Sequence, residues 1–134
     1  MSTSRRTILR AMLMLVVSAL FAAGATRSAQ AMRHLKLVRS SPAADTVLAT
    51  SPDAIRLWMS EPTVAKVSKI RLTTATGVAI ALGALTRDAT KDAPLVATIP
   101  TPLNAGRYTV TWKAMSKDGH VVNGVFAFRV DVAK

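Results

Sequence analysis

The chain has 134 residues, with 18 Lys and Arg against 7 Asp and Glu, two histidines and no cysteine. The missing thiols exclude a disulfide framework, a thiolate metal site and a cysteine nucleophile. This length suits one domain once a targeting segment is removed, and its core alone must then hold the fold.

Residues 1–31 have the organisation of an export signal. A basic start, "MSTSRRTILR", precedes the 15 apolar residues "AMLMLVVSALFAAGA", and Ala29-Gln30-Ala31 then supplies a small-x-small cleavage pattern. The apolar run is too short to cross a bilayer, which takes about 20 residues. We therefore predict a signal peptide cleaved near Ala31. Its paired arginines are similar to the twin-arginine export motif.

Residues 32–134 remain as a single domain outside the cytoplasm, which indicates a bacterial periplasm. The domain keeps 14 basic and 7 acidic residues, a net charge of +7. This charge could favour anionic lipid heads or an acidic partner, but the basic residues are scattered along the sequence, which favours a solvated surface. We expect no nucleic-acid partner in this compartment. The sequence has no second apolar run, so we predict no stable membrane insertion.

After residue 34 the hydrophobic pattern has period two with frequent breakers, and no window of eleven residues has helical periodicity. The predicted strands are 35–38, 54–59, 68–74, 78–82, 95–99, 107–115 and 125–132, with loops between them. "ATG" at 75–77 predicts the turn of a hairpin.

Alternation within these strands predicts which side chains form the core. The expected inward set is Ile55, Leu57, Met59, Tyr108, Val110, Trp112, Ala114, Phe126, Phe128 and Val130. About seven short strands in roughly a hundred residues are typical of an immunoglobulin-like β-sandwich with Greek-key connections. The predicted fold class is all-β.

Four side chains are candidates for metal chemistry. In an extended chain, residues i and i+2 point to the same side, so Asp118 and His120 present a carboxylate beside an imidazole. Glu61 follows a predicted strand directly, and His34 opens the first strand. Two nitrogen and two oxygen donors suit Cu(II), and less selectively Zn(II) or Ni(II).

Each of these residues also has an ordinary structural interpretation. Asp-Gly is a favoured hairpin dipeptide, and a single loop histidine is usually a solvated side chain. His34 belongs to no motif of its own, and nothing in the spacing brings it to the 118–120 turn. The residues alone leave both interpretations open.

Three segments carry a resemblance to a known family. "HLKLVRSSPAADTVL", "IRLWMSEP" and "PLNAGRYTVTWKAMSKDGHVVNGVFAFRV" resemble, in order and spacing, the CopC-type periplasmic copper-resistance proteins. The resemblance covers nearly all of residues 32–134. It implies an immunoglobulin-like or cupredoxin-like β-sandwich that binds Cu(II) through residues matching His34, Asp118, His120 and, in some members, Glu61. It also implies a copper transporter of the CopD kind as a partner.

The chain departs from the family pattern at three positions. Val121 stands in place of a proline and Met59 in place of a phenylalanine. In the family the first histidine is the mature N-terminus, whereas cleavage after Ala31 leaves two residues before His34. Trimming to His34 gives an amine-plus-imidazole chelate. An untrimmed Met32 terminus could instead bind Cu(II) through its amine, two amides and the His34 ring.

The expected function is sequestration or delivery of Cu(II) without catalysis. The chain has no methionine cluster, which disfavours a Cu(I) site, and no cysteine, which excludes a blue-copper centre. Two alternatives remain at this stage. One is a copper-dependent oxidative enzyme with a histidine chelate, and the other is a metal-free immunoglobulin-like interaction module.

Overall fold

The computed structural model describes residues 34–131. The predictions of a signal peptide, of cleavage at Ala31 and of a terminal chelate through Met32 fall outside this range. The strands are β1 (Leu37–Ser41), β2 (Val47–Leu48), β3 (Ala54–Met59), β4 (Lys69–Thr74), β5 (Ala79–Ile80), β6 (Leu95–Thr98), β7 (Gly106–Met115) and β8 (Val121–Val130).

The strands form two sheets, as the all-β sandwich prediction requires. One sheet has the order β1-β3-β6 and the other β2-β8-β7-β4-β5, and the chain passes repeatedly between them. The β7–β8 hairpin is the longest pairing, with ten residues of continuous antiparallel register from Gly106 opposite Val130 to Met115 opposite Val121. It reaches one end of the five-stranded sheet, where its connecting turn lies.

The core follows the alternation of the sequence. Tyr108, Val110, Trp112 and Ala114 of β7 are all buried, as are Ile55 and Leu57 of β3. Side chains on alternate positions of a strand share one face, so each of these strands covers the core with one face. The inward set predicted from the sequence is confirmed, with Met59 and Phe126 half-buried against the core.

Tyr108 also closes the corner that leads into β7. Its ring lies 5.7 Å from that of Phe128, and its hydroxyl donates to the carbonyl of Asn104, four residues earlier, at 2.9 Å. A tyrosine bonded to the backbone just upstream is the tyrosine corner of immunoglobulin-like sandwiches.

The predicted strand bounds differ from the structure most clearly in three places. β1 runs from Leu37 to Ser41 instead of 35–38. β2 lies inside a predicted loop, because its two residues pair in parallel with the end of β8. β8 begins at Val121, four residues before the prediction. Its first four residues include Asn123 and Gly124, residue types that are depleted in strands. Their pairing with β7 nevertheless keeps them in the strand.

Helical structure in residues 34–131 is confined to the 3-10 turn Ala65–Val67. Within this range no helix combines the length and the hydropathy needed to cross a membrane.

Candidate metal centre

A tight turn at residues 116–120 joins β7 to β8. The Ser116 amide donates to the His120 carbonyl at 2.9 Å, and the Gly119 amide donates to the Ser116 carbonyl at 3.1 Å. Gly119 has φ +90°, a backbone conformation that glycine adopts without steric cost. The chain therefore reverses at residues 118–120, as the Asp-Gly dipeptide of a hairpin turn indicates.

Asp118 and His120 nevertheless meet, as the sequence predicted. Nδ1 of His120 lies 2.8 Å from Oδ2 of Asp118, and the two side chains are 65% and 59% exposed. The turn places both on its open side, with Gly119 contributing no side chain between them. An imidazole and a carboxylate are thus paired and open to an ion from solvent.

Ser116 organises this pair, a role that the sequence analysis did not assign. The residue is buried, and its hydroxyl donates to Oδ1 of Asp118 and accepts from the His120 amide at 3.2 Å. A hydroxyl-bearing residue two positions before an Asp-Gly turn is the signal that could have indicated it, since serine often bonds to nearby turn groups.

Hydrogen bonding to Asp118 favours its charged form. The donation from Ser116, and next the contact with His120, lower the pKa of the Asp118 carboxyl below its ordinary value of 3.8. A hydrogen bond to a carboxylate stabilises the ion relative to the acid. Asp118 is therefore an anionic oxygen donor at neutral pH.

His34 and Glu61 lie together at one end of the three-stranded sheet. The Ser60 amide donates to the Lys36 carbonyl at 2.9 Å, and the Ser60 hydroxyl donates to the His34 carbonyl at 3.4 Å. The start of β1 is therefore held against the end of β3. Because β1 and β3 are antiparallel, His34 and Glu61 come from the same end of this sheet.

The segment after Glu61 connects this end to the β7–β8 turn. Thr63 forms an isolated antiparallel bridge with Ser116, and the Val64 amide donates to the Met115 carbonyl at 2.9 Å. Glu61 thus lies two residues before Thr63, whose backbone pairs directly with that of Ser116. All four candidate residues therefore belong to one end of the sandwich.

The four side chains do not form one cluster. Within residues 34–131, no three His, Asp or Glu side chains lie close enough together to hold a single metal ion. The structure brings Asp118 and His120 together, whereas exposed His34 and half-buried Glu61 stay outside their contact distance. The role of all four as ligands stays a prediction.

The two side chains of the pair are in direct contact. Nδ1 of His120 and Oδ2 of Asp118 lie 2.8 Å apart, the length of a direct hydrogen bond, so an ion that bound both atoms would take the place of this bond. The fold and this pair define the class: a small β-sandwich with a histidine–carboxylate pair on an exposed turn.

Comparison with known proteins assigns the family within that class. The family model of the CopC domain matches residues 37–131. Copper resistance protein C of Pseudomonas syringae pv. tomato is 38% identical over 116 residues, which cover 83% of this chain and 91% of that protein. The chain belongs to the CopC family.

Solved structures agree with this assignment. CopC from Methylosinus trichosporium OB3b has a TM-score of 0.70 and 31% identity, covering 75% of this chain and 97% of its own. PcoC, a methionine-rich copper resistance protein from Escherichia coli, has a TM-score of 0.65 and 32% identity, covering 73% and 99%. The predicted family resemblance and sandwich fold are confirmed.

Proposed function

We propose that this protein binds one Cu(II) ion in copper homeostasis or resistance, and that it sequesters the ion or hands it on without catalysing a reaction. The observation that carries this proposal is the Asp118–His120 contact of 2.8 Å on an exposed turn. Family membership supports the metal, because the relatives at this similarity are copper resistance proteins.

The chemistry of the pair is suited to the divalent ion. Imidazole nitrogen and carboxylate oxygen are donors that Cu(II) accepts in a tetragonal arrangement. Asp118 is ionised at neutral pH, and His120 must be neutral to offer its ring nitrogen.

Two donors are too few for a tight Cu(II) site, and His34 is the proposed third. The Ser60 contact holds its carbonyl at the end of the sandwich that carries the turn. If the mature chain starts at His34, the terminal amine and the ring supply two nitrogens. Glu61 is the proposed weaker ligand of the set.

We expect little affinity for Cu(I), which prefers soft sulfur ligands. Residues 34–131 contain two methionines, Met59 and Met115. Met59 packs against the hydrophobic core, so its thioether serves packing. This feature distinguishes the chain from the methionine-rich PcoC.

The compartment proposed for this function is the periplasm, with residues 1–31 as a cleaved signal peptide and residues 32–134 as the CopC-like domain. Delivery from there would go to an inner-membrane copper transporter of the CopD kind, the partner that the family resemblance implies. Cells that lack such a transporter should then keep the sequestering role and lose copper uptake through this protein.

Competition titration tests the site. We expect Asp118→Asn and His120→Ala each to lower Cu(II) affinity by more than about tenfold. A tenfold loss is the lower end of what removing a supporting group around a metal costs. The matched control is Asp92→Asn, which removes an exposed carboxylate in the loop before β6, outside the four candidate residues. A wild-type protein that binds Cu(I) more tightly than Cu(II), or equal losses in the control, would contradict the proposal.

The same samples separate the two alternatives. A copper-dependent oxidative enzyme would consume a glycan when supplied with a reductant and oxygen. A metal-free interaction module would show a well-formed fold with no Cu(II) affinity. Our proposal predicts copper binding and no glycan oxidation.

A further inference from the structure

The outer face of the five-stranded sheet carries the excess positive charge of residues 34–131. Its exposed cations come from three adjacent strands: Lys69, Arg71, Arg107, Lys113 and Arg129. The register places them on one surface, because Lys69 and Arg71 lie opposite Lys113 and Thr111 and Arg107 lies opposite Arg129. We call these five residues the basic face.

Charge elsewhere is balanced. Residues 34–131 contain 12 Lys and Arg and 7 Asp and Glu. With the five cations of the basic face set aside, seven basic and seven acidic residues remain, and β2, β4, β5, β7 and β8 contain no acidic residue. Strand pairing thus brings these five residues, which are scattered along the sequence, onto one exposed surface.

The fold carries an electrostatic cost on this face. Lys69 is the direct cross-strand partner of Lys113, and Arg107 is that of Arg129. Like charges directly opposite each other destabilise a sheet. Within residues 34–131 the side-chain ion pairs are Arg56–Asp53 and His120–Asp118, so none of these four cations is paired with an acidic side chain. An anionic ligand bound on this face would offset the repulsion between these like charges.

The shape and composition of the face favour an extended partner. A shallow concavity of 540 Å³ opens over β4, β7 and β8 between Lys69, Arg71, Lys113 and Val125. Val125 is 67% exposed, and Trp112, the aromatic residue among those that line the concavity, is itself buried. Stable protein interfaces centre on anchor side chains seated in well-packed pockets, whereas the arginines of this face lie exposed on an open surface.

We propose that the basic face docks on a membrane surface rich in anionic phospholipid. Juxtamembrane Lys and Arg side chains are attracted to such a surface by about 1 kcal/mol each, with no need for pockets. The contact is peripheral. Lys113 lies five residues before Asp118, so docking holds the 116–120 turn at the rim of the membrane contact with its side chains still open to solvent. The proposal is independent of which metal the turn binds.

Vesicle co-sedimentation tests it, with vesicles of phosphatidylcholine alone and of equal parts phosphatidylcholine and phosphatidylglycerol. The variant Lys113→Glu/Arg129→Glu removes both like-charge pairs, so its unfolding temperature should equal or exceed that of the wild type. Loss of binding then cannot be ascribed to unfolding. The matched control Lys36→Glu/Lys91→Glu makes the same change in net charge at exposed residues outside the sheet. All proteins are isolated from the exported fraction.

We expect the wild type to bind the anionic vesicles in a salt-sensitive manner and to ignore the neutral ones. The face variant should bind at least about 25-fold more weakly, at about fivefold for each cation removed, and the control should keep wild-type affinity. An equal loss in the control, or displacement by soluble glycerol phosphate beyond the effect of sodium chloride at the same ionic strength, would overturn the proposal. Failure of the wild type to bind anionic vesicles would also overturn the proposal. That result would favour an acidic protein as the partner.

Discussion

At the scale of single residues, one buried hydroxyl group sets the geometry of the candidate site. Ser116 donates to the Asp118 carboxylate and accepts from the His120 amide. Its own backbone is fixed by β7 on one side and by the bridge to Thr63 on the other. The two exposed side chains are thus oriented by a buried residue.

Removing this hydroxyl tests its role. We predict that Ser116→Ala raises the pKa of Asp118 towards its ordinary value of 3.8, because the main stabiliser of the carboxylate is lost. Carboxyl chemical shifts followed against pH would measure this. A lowered pKa makes the folded state bind its proton less readily than the unfolded state. The wild type therefore loses stability as pH falls below 3.8, and the variant should lose less.

Copper affinity in Ser116→Ala should also fall, by about tenfold as for other supports of metal ligands. Ser116→Thr keeps the hydroxyl and should recover the low pKa of Asp118. A variant that keeps the wild-type pKa would show that Ser116 does not act on the carboxylate.

Thr63 offers a second test at this scale, since its buried hydroxyl has no hydrogen-bond partner in the described part of the chain. We predict that Thr63→Val stabilises the protein by about 1 kcal/mol, because an unpaired buried polar group is costly. The matched control is Ser68→Ala. Ser68 is equally buried, but it donates to Val64 at 2.8 Å and accepts from Met115 at 3.2 Å, so its loss should destabilise. Urea unfolding of both variants measures these changes in the free energy of unfolding. Destabilisation by Thr63→Val would contradict the prediction.

At the scale of elements, the β7–β8 hairpin unites the core with the site. Trp112 and Gly124 are direct cross-strand partners, and both positions face inward. A Cβ atom at Gly124 would lie 2.6 Å from the Trp112 ring. The absence of a side chain at Gly124 is therefore what allows the indole to lie flat against β8.

Adding one methyl group tests this packing. We predict that Gly124→Ala destabilises the protein by about 1–3 kcal/mol, since overpacking forces a buried side chain to shift. Trp112 fluorescence should change with it. The neighbouring exposed substitution Asn123→Ala should change stability by less than about 0.5 kcal/mol. An unaffected unfolding midpoint in Gly124→Ala would mean that the ring relocates freely.

The elements show what the sequence could predict. Period-two alternation identified the buried faces of β3 and β7, because both strands have one face on the core. It could not identify β2, whose pairing with β8 depends on backbone bonds such as Arg129 to Thr46. Local spacing likewise predicted the Asp118–His120 contact. The Thr63–Ser116 bridge joins residues far apart in the chain, and no local pattern specifies it.

At the scale of the whole molecule, the candidate site and the core are separate. The site lies on a turn at one end of the sandwich, with both side chains of the pair more than half exposed, while the core is built from β3, β4, β6, β7 and β8. We therefore predict that His120→Ala leaves metal-free thermal stability within about 0.5 kcal/mol of the wild type. Collapse of the metal-free variant would show that the histidine is structural.

The most direct test of the proposed site is the paramagnetic resonance spectrum of the exported protein with one equivalent of Cu(II), compared between wild type and His120→Ala. If the ion is shared between the His34 terminus and the Asp118–His120 pair, the variant spectrum should lose one nitrogen donor. If Cu(II) is held entirely by an untrimmed Met32 terminus, all in-plane donors are local and the two spectra should coincide. We predict the loss of a nitrogen, and coincident spectra would contradict the proposed copper site.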